Sequence, residues 1–217
     1  RDANGVPRYS QANNRSIRFS SLKDDTFTGG IDFTYSLPFS GPREATISAG
    51  YEYSDNDREY GVLFLRFAGG NSLPEDTQIA RPDFLFHPDN IAPGRFVLIE
   101  TPRVSDFYRG EHAIHAGYLQ ADMELIPTIR TTLGVRYEDS EQAVVTFDRF
   151  LNLGPASFIG NDYWLPSATL TWNFADNMQF RLGYSHTIAR PQFRELAQSQ
   201  FYDPENDRSY RGNRFLV

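Results

Sequence analysis

Carboxylate side chains are the first candidates for chemistry in this sequence. They form two close groups, Asp122 with Glu124, and Glu138 with Asp139 and Glu141. A pair of acids about 5 to 10 Å apart can hydrolyse a glycosidic bond, provided that an apolar pocket raises the pKa of one of them. The neighbouring sequence supplies no such pocket, so we interpret these acids as solvated or structural charges.

The residues that could bind a metal ion form equally weak patterns. Segments 55–57 and 203–207 are rich in oxygen ligands, but they lack the glycine and the twelfth-position acid of an EF-hand loop. The four histidines (His87, His112, His115 and His186) show no zinc-ligand spacing. Cysteine is absent, which excludes thiolate ligands, disulfides and a cysteine nucleophile. The sequence therefore predicts no metal site, no cofactor and no catalytic residue.

Composition narrows the class of protein. The 217 residues carry a net charge of -7, which argues against nucleic-acid binding through a basic surface. Mean hydropathy is -0.51, and no stretch approaches the roughly 18 to 20 apolar residues of a transmembrane helix. A membrane β-barrel is compatible with this composition, because only every second residue of its strands faces lipid. Neither an initiator Met nor a signal peptide is found at Arg1, which indicates an artificial or processing boundary.

Alternation of apolar and polar residues dominates the chain. This period of two predicts six strands in three hairpins, with mixed charges on the polar face. The segments are 27–39, 45–54, 113–125, 129–138, 164–174 and 180–188.

The predicted connections are sorted by length. Short turns at 40–44, 126–127 and 175–177 alternate with a long excursion over about 67–111 and a middling loop near 140–162. Aromatic residues gather near the strand ends on the apolar face: Phe39, Tyr51, Tyr53, Tyr137, Trp164, Trp172, Phe174 and Phe180. Both features are typical of an outer-membrane barrel, whose aromatic girdles flank a lipid-facing band.

We therefore predict an all-β fold, an antiparallel up-and-down transmembrane β-barrel segment with short periplasmic turns and long extracellular loops. The polar face would line the lumen. A soluble or surface β-sandwich for binding or adhesion is the alternative, in which the aromatic face is buried between two sheets. A surface hydrolase on a β scaffold is a further alternative, and it requires convergent acids such as Glu138 or Asp122.

Several runs of sequence carry a family resemblance. GYSHTIARPQFREL with FYDPENDRSYRGN, AGYLQADMEL with LGVRYEDS, and LPSATLTWNFADNMQFRLGYS resemble the barrel of TonB-dependent outer-membrane receptors. The resemblance covers about residues 110–213 and is closest to the branch abundant in Caulobacter- and Xanthomonas-like bacteria. The matching motif residues, to which we assign a structural role, are Gly134, Arg136, Tyr137, Glu138, Arg190, Pro191, Gly212 and Asn213.

The resemblance implies a transporter in the outer membrane of a Gram-negative bacterium, not an enzyme. Residues 1–217 would be an internal barrel segment, without the plug domain or the closing C-terminal strand. The receptor would import a scarce nutrient, an oligosaccharide or an iron chelate such as a siderophore. Its partners would be that small molecule, the lipid bilayer and, through the plug, the TonB complex.

The long excursion is the predicted substrate-binding surface. Loops of this length are usually functional or disordered, and aromatic rings with arginines suit the capture of sugars or anionic chelates. A lid that only shields the vestibule is the alternative. The candidate substrate-binding residues are Arg81, Asp83, Phe84, Phe86, His87, Arg95, Arg103 and Tyr108.

The last strand ends in an Arg-Pro pair. Proline cannot donate to a sheet ladder, so Pro191 is expected to mark the change from strand to loop near the outer rim. Arg190 is expected to pair there with Glu195 or Asp203.

Overall fold

The computed structural model describes residues 16–38, 45–70, 73–103, 105–203, 205–206 and 208–216. Within these ranges no helix is long and apolar enough to cross a membrane. The predicted turn at 40–44 and the aromatic residue Phe39 lie outside the described residues.

One antiparallel sheet forms most of the chain. Its strands run in the spatial order β1-β2-β4-β5-β6-β7, and the short β3 pairs with the end of β2. The sheet curls into a half-barrel, which confirms the predicted fold class. The strands are β1 (Ser16–Leu37), β2 (Ala45–Gly69), β3 (Phe96–Glu100), β4 (Phe107–Ile126), β5 (Ile129–Phe147), β6 (Leu153–Ala175) and β7 (Met178–Ser185).

The outer face of this sheet is apolar. Residues directly opposite one another in the ladder share a face, so the pairings Tyr51–Gly117, Gly117–Tyr137 and Tyr137–Trp164 place four strands in one row. Trp164 and Trp172 lie eight residues apart on β6, roughly 26 Å of strand, close to the about 25 Å height of a lipid-facing band.

This face is open rather than covered by a second sheet. Phe33, for example, is 66% exposed. Large exposed apolar patches mark contact with lipid or protein, and a sandwich would bury them. The β-sandwich alternative is therefore wrong.

The strands extend further than the sequence indicated. β1 begins at Ser16 rather than at residue 27, and β5 and β6 continue towards a five-residue connection at 148–152. The predicted loop at 140–162 is therefore wrong. Charged residues such as Asp25 and Asp57 occupy the outer face beyond the aromatic row, so the alternation that signals a strand is lost although the ladder continues.

The β5–β6 connection is held by one carboxylate. Asp148 accepts hydrogen bonds from the backbone N–H of Phe150 at 2.8 Å and of Asn152 at 2.9 Å, and from the Asn152 side chain at 2.8 Å. The Asn152 side chain and these backbone donors hold the pKa of Asp148 below its usual value. Leu151 has a φ of 61°, a left-handed conformation that costs a side-chain-bearing residue about 1–2 kcal/mol.

Replacing Leu151 by glycine is expected to stabilise this connection. Glycine adopts positive φ freely but loses about 0.5–1 kcal/mol of chain entropy, so a net gain of up to about 1 kcal/mol remains. Hydrogen exchange at the hairpin tip should slow by up to about fivefold. Leu153→Gly, at the exposed first residue of β6, is the matched control and should speed exchange. Faster exchange in Leu151→Gly would contradict the strain argument.

After β7 the chain turns back over the inner face of the sheet. We call residues 186–216 the lumenal segment. It contains α3 (Phe193–Leu196) and a separate hairpin of β8 (Gln200–Asp203) and β9 (Arg208–Arg211). β7 ends six residues before Pro191, so the expected change from strand to loop occurs earlier than predicted. β3, β8 and β9 were not among the predicted strands.

Apolar contacts hold the lumenal segment against the wall. Phe193, Leu196 and Ala197 form a buried cluster with Tyr108 of β4 and Val144 of β5. Gly110 leaves the space for this docking, since a Cβ there would lie 2.6 Å from the Phe193 ring.

The excursion between β2 and β4 has its own small core. It contains α1 (Glu75–Gln78), α2 (Pro82–Leu85) and a 3-10 turn (Pro88–Asn90) ahead of β3. Leu73, Leu85 and the fully buried Phe96 form the core, and Phe67 and Phe86 pack on it. The part of the excursion that the structure describes is therefore folded.

Candidate functional site

The inner face of the sheet carries polar side chains that bond from strand to strand. Asp32, Gly50 and Tyr118 lie in one row across β1, β2 and β4. The Tyr118 hydroxyl crosses over Gly50 and donates to Asp32 at 2.7 Å. A Cβ at Gly50 would lie 2.3 Å from Asp32 and 2.5 Å from the Tyr118 ring, so only glycine permits this bridge.

A second set lies nearer the short turns. Asp122 accepts from Arg130 Nε at 2.7 Å and from the Thr132 hydroxyl at 2.7 Å. Its charge is therefore neutralised by a neighbouring strand.

The third set joins the wall to the lumenal segment. The buried carboxylate of Glu138 accepts from Arg136 Nε at 2.6 Å and forms an ion pair with Arg190. Arg136 also lies 3.4 Å from the Glu52 carboxylate. This Glu52–Arg136–Glu138–Arg190 chain connects β2, β5 and the lumenal segment, and we call it the charge network.

The charge network corrects two expectations. Arg190 pairs with Glu138 of the wall, not with Glu195 or Asp203. Glu138 and Asp122 each pair with arginines and lie on separate rows, so they do not converge as the acid pair that a hydrolase requires. The hydrolase alternative is therefore not supported by the described residues.

Other motif residues have structural partners as well. The Pro191 carbonyl accepts from the Gln142 side chain at 3.0 Å. Gly212 N–H donates to the Ala197 carbonyl at 3.0 Å, and Asn213 N–H donates to the Glu195 carbonyl at 2.6 Å. These bonds tie the end of β9 to α3.

Two motif residues belong to the wall itself. The Tyr137 ring packs 4.9 Å from the Trp164 ring on the outer face. Gly134 faces inward, where a Cβ would lie 3.1 Å from the Ser167 hydroxyl. The motif is therefore distributed between the outer face, the inner face and the lumenal segment.

Four of the eight predicted substrate-binding residues pack against, or donate hydrogen bonds to, other parts of the protein. Tyr108 is buried in β4 and stacks 5.3 Å from Tyr60, because the strand begins at Phe107. Phe86 belongs to the small core of the excursion. Arg95 donates to the Asp89 carbonyl at 2.8 Å, and the Arg103 side chain donates to Gln200.

The other four are exposed at the surface of the excursion. They are Arg81, Asp83, Phe84 and His87. The side chains of Arg95 and Arg103 are exposed as well. Arg81 and Asp83 pair with each other at 3.3 Å. The His87 ring lies 3.3 Å from the Asp89 carboxylate.

The lumenal segment lines an open cavity of about 810 Å³ that was not predicted. Arg190, Arg194, Glu195, Phe201, Tyr210 and Arg211 contribute to its lining. The available signal was the high arginine content of residues 190–214. It was obscured by the interpretation of this region as a strand end followed by a loop.

The match to one protein family agrees with this architecture. The family model described as "TonB dependent receptor-like, beta-barrel" matches residues 1–216. A crystal structure of the ferric citrate transporter FecA in the unliganded form is similar, with 15% identity and a TM-score of 0.47 over 76% of this chain. The chain spans about a fifth of that protein, since the similarity covers 20% of its length. No curated protein sequence matches.

The family match extends beyond the region in which the sequence motifs were recognised. It includes the N-terminal hundred residues, where the family motifs were absent and only the predicted hairpins resembled the family. The chain therefore belongs to the TonB-dependent receptor-like β-barrel family, whose members are transporters, not enzymes, of the Gram-negative outer membrane.

Proposed function

We propose that this chain forms part of the wall and outer vestibule of a receptor that imports a small-molecule nutrient by energy-coupled transport. The observation that carries the proposal is one continuous sheet with two different faces. An apolar face edged by aromatic rings suits lipid, and a polar face with paired charges suits a lumen. The family match supports transport as the activity.

The proposed partners follow from this arrangement. The lipid bilayer contacts the outer face, and a plug domain contacts the inner face and communicates with the TonB complex. An oligosaccharide and an iron chelate both remain candidate substrates, as does membership of the Caulobacter- and Xanthomonas-like branch. Neither nucleic acid nor a cofactor is part of the proposal.

Within the excursion, Arg81, Phe84 and His87 are the proposed substrate contacts. Their side chains are exposed at the extracellular end of the sheet, while Phe96 and Leu85 hold the backbone beneath them. Aromatic faces and guanidinium groups held on a folded loop can bind a sugar or an anionic chelate. Phe86, Arg95, Arg103 and Tyr108 then position the loop rather than contact the substrate.

The double variant Arg81→Ala, Phe84→Ala of the full-length receptor is expected to weaken substrate binding by about tenfold or more. Losing one stacking and one charged contact removes at least about 1.4 kcal/mol. Uptake is measured in cells on a panel of iron chelates and oligosaccharides, with and without a functional TonB complex. Uptake should require TonB in every case.

Phe96→Ala is the matched comparison, since it empties the small core and is expected to disturb the whole excursion. Asp76→Ala, which removes an exposed acidic side chain of α1, is the control that should leave uptake unchanged. Unchanged uptake in the Arg81→Ala, Phe84→Ala variant would overturn the loop assignment. Uptake without any need for TonB would overturn the proposed function.

A further inference from the structure

We propose that the cavity of the lumenal segment is a binding site for carboxylate-bearing small molecules with an apolar or aromatic part. The inference deepens the proposed transport function and rests on it. It names the substrate class and places a contact site on residues other than those of the excursion.

The first support is the position of the cavity. All of its lining residues belong to the lumenal segment, which packs on Tyr108 and Val144 of the inner face. Val144 lies seven residues beyond Tyr137 of the outer aromatic row, or roughly 23 Å of strand. Arg190, which lines the cavity, pairs with Glu138 beside Tyr137, so the cavity extends outward from the level of the outer aromatic row.

The second support is the hydrogen bonding of the two acidic side chains that line the cavity. Glu195 accepts from the Gln192 N–H at 2.8 Å, and Asp203 accepts from the Glu205 N–H at 2.9 Å and from the Asn206 side chain at 2.6 Å. These donors occupy the acids and hold the pKa of Asp203 below its usual value. Both acids keep their charge, because these donors are neutral, but their hydrogen bonds are made within the segment and not with its arginines.

The arginines differ from the acids. Arg190 is committed to Glu138. Arg194 and Arg211 are exposed, and neither forms an ion pair or a side-chain hydrogen bond with the part of the chain that the structure describes. Two guanidinium groups are thus available at the cavity, and each can bind a carboxylate through two parallel hydrogen bonds.

The third support is the apolar part of the lining. Phe201 and Tyr210 are direct partners across the β8–β9 hairpin. Phe201 packs 5.4 Å from Tyr60 of the wall, which fixes the hairpin, while Tyr210 remains 51% exposed. A ring held in this way can stack on a planar ligand. The cavity volume of about 810 Å³ lies within the range of small-molecule sites.

The test uses the purified full-length receptor and isothermal titration with benzene-1,3,5-tricarboxylate as the anionic probe. Benzene-1,3,5-tricarboxamide, of the same shape but neutral, is the matched ligand. We expect the tricarboxylate to bind and the tricarboxamide to bind at least about tenfold more weakly. Arg194→Gln and Arg211→Gln should each weaken tricarboxylate binding by about tenfold or more, since a hydrogen bond to a charged group contributes about 1.5–3 kcal/mol.

Arg208→Gln is the matched variant. Arg208 is an exposed arginine of β9 whose side chain forms no ion pair or hydrogen bond with the described residues, and it does not line the cavity. It should leave binding unchanged, and all three variants should keep the thermal unfolding midpoint of the parent receptor. Equal effects of Arg208→Gln and Arg211→Gln, or equal binding of the neutral probe, would overturn the carboxylate site.

Failure of this inference is distinct from failure of the transport proposal. Cells that import a nutrient in a TonB-dependent manner, with no difference between Arg211→Gln and Arg208→Gln, would retain the function and reject the cavity. Absence of TonB-dependent uptake of any substrate would reject the function even if the purified protein bound the tricarboxylate.

Discussion

Replacing Glu138 by alanine is expected to detach the lumenal segment from the wall. Arg136 and Arg190 both bond to this buried carboxylate. Removing it leaves the partly buried Arg190 with an uncompensated charge and leaves Arg136 with only its longer contact to Glu52. Breaking a buried ion pair from one side costs about 3–5 kcal/mol. Hydrogen exchange and proteolysis within residues 186–216 should both become faster, while the outer halves of β1 and β2 stay protected.

Asp139→Ala is the matched control for Glu138→Ala. Asp139 is the next residue of β5 and is exposed on the outer face, and its side chain forms no ion pair or hydrogen bond with the described residues. It should leave exchange in residues 186–216 unchanged. A double-mutant cycle of Glu138→Gln with Arg190→Gln should give a coupling energy above about 1 kcal/mol. Additive effects in that cycle, or equal effects of the two alanine variants, would contradict the role of the charge network.

A second large loss of stability is expected from Gly212→Ala. A Cβ at this position would lie 2.2 Å from the Ala197 carbonyl, 2.6 Å from that of Glu195 and 2.7 Å from that of Arg194. All three are backbone atoms near the Gly212 N–H···Ala197 hydrogen bond, so the chain must move apart. Overpacking of this kind costs about 1–3 kcal/mol, and occasionally more. The amides of residues 212 and 213 should lose their exchange protection.

Gly183→Ala is the control for Gly212→Ala, because nothing lies within 4 Å of a Cβ built at Gly183 in β7. Its expected effect is near zero or slightly stabilising, since alanine restricts the unfolded chain. If binding of the tricarboxylate probe survives Gly212→Ala together with full exchange protection at residue 213, the bonds between β9 and α3 do not hold the cavity.

The two changes act on the lumenal segment in different ways. Glu138 holds the segment to the wall through charge, whereas Gly212 holds the segment to itself through close backbone packing. The cavity requires both, because Arg194 and Arg211 come from α3 and β9 while the position of the cavity in the vestibule comes from the wall. Both variants should therefore reduce probe binding, although neither residue needs to touch the ligand.

Much of the fold followed from the sequence because it depends on local periodicity. Alternation assigns residues such as Tyr137 and Trp164 to one face and Arg136 and Glu138 to the other without knowledge of any partner. The short turns at 127–128 and 176–177 fix each hairpin register as well. The six main strands and their up-and-down order were therefore predictable, as was the difference between the two faces.

The strand ends were less predictable. Beyond the aromatic row the outer face meets water, so charged residues replace apolar ones and the alternation no longer distinguishes strand from loop. Only the ladder, which pairs residues such as Asp25 with Asp57, shows that β1 and β2 continue there. Backbone hydrogen bonds depend on the neighbouring strand, and the sequence of one strand does not contain them.

The sequence by itself determined a two-faced antiparallel sheet and its family, because both reside in patterns along the chain. The tertiary structure alone decided that Arg190 bonds to Glu138, 52 residues away, and that residues 186–216 fold back to form the cavity. An arginine beside a proline has several carboxylates within reach in sequence. Which of them it meets depends on the strand register and on the docking of Phe193 and Leu196 against the wall. These are long-range packing contacts, and no local pattern encodes them.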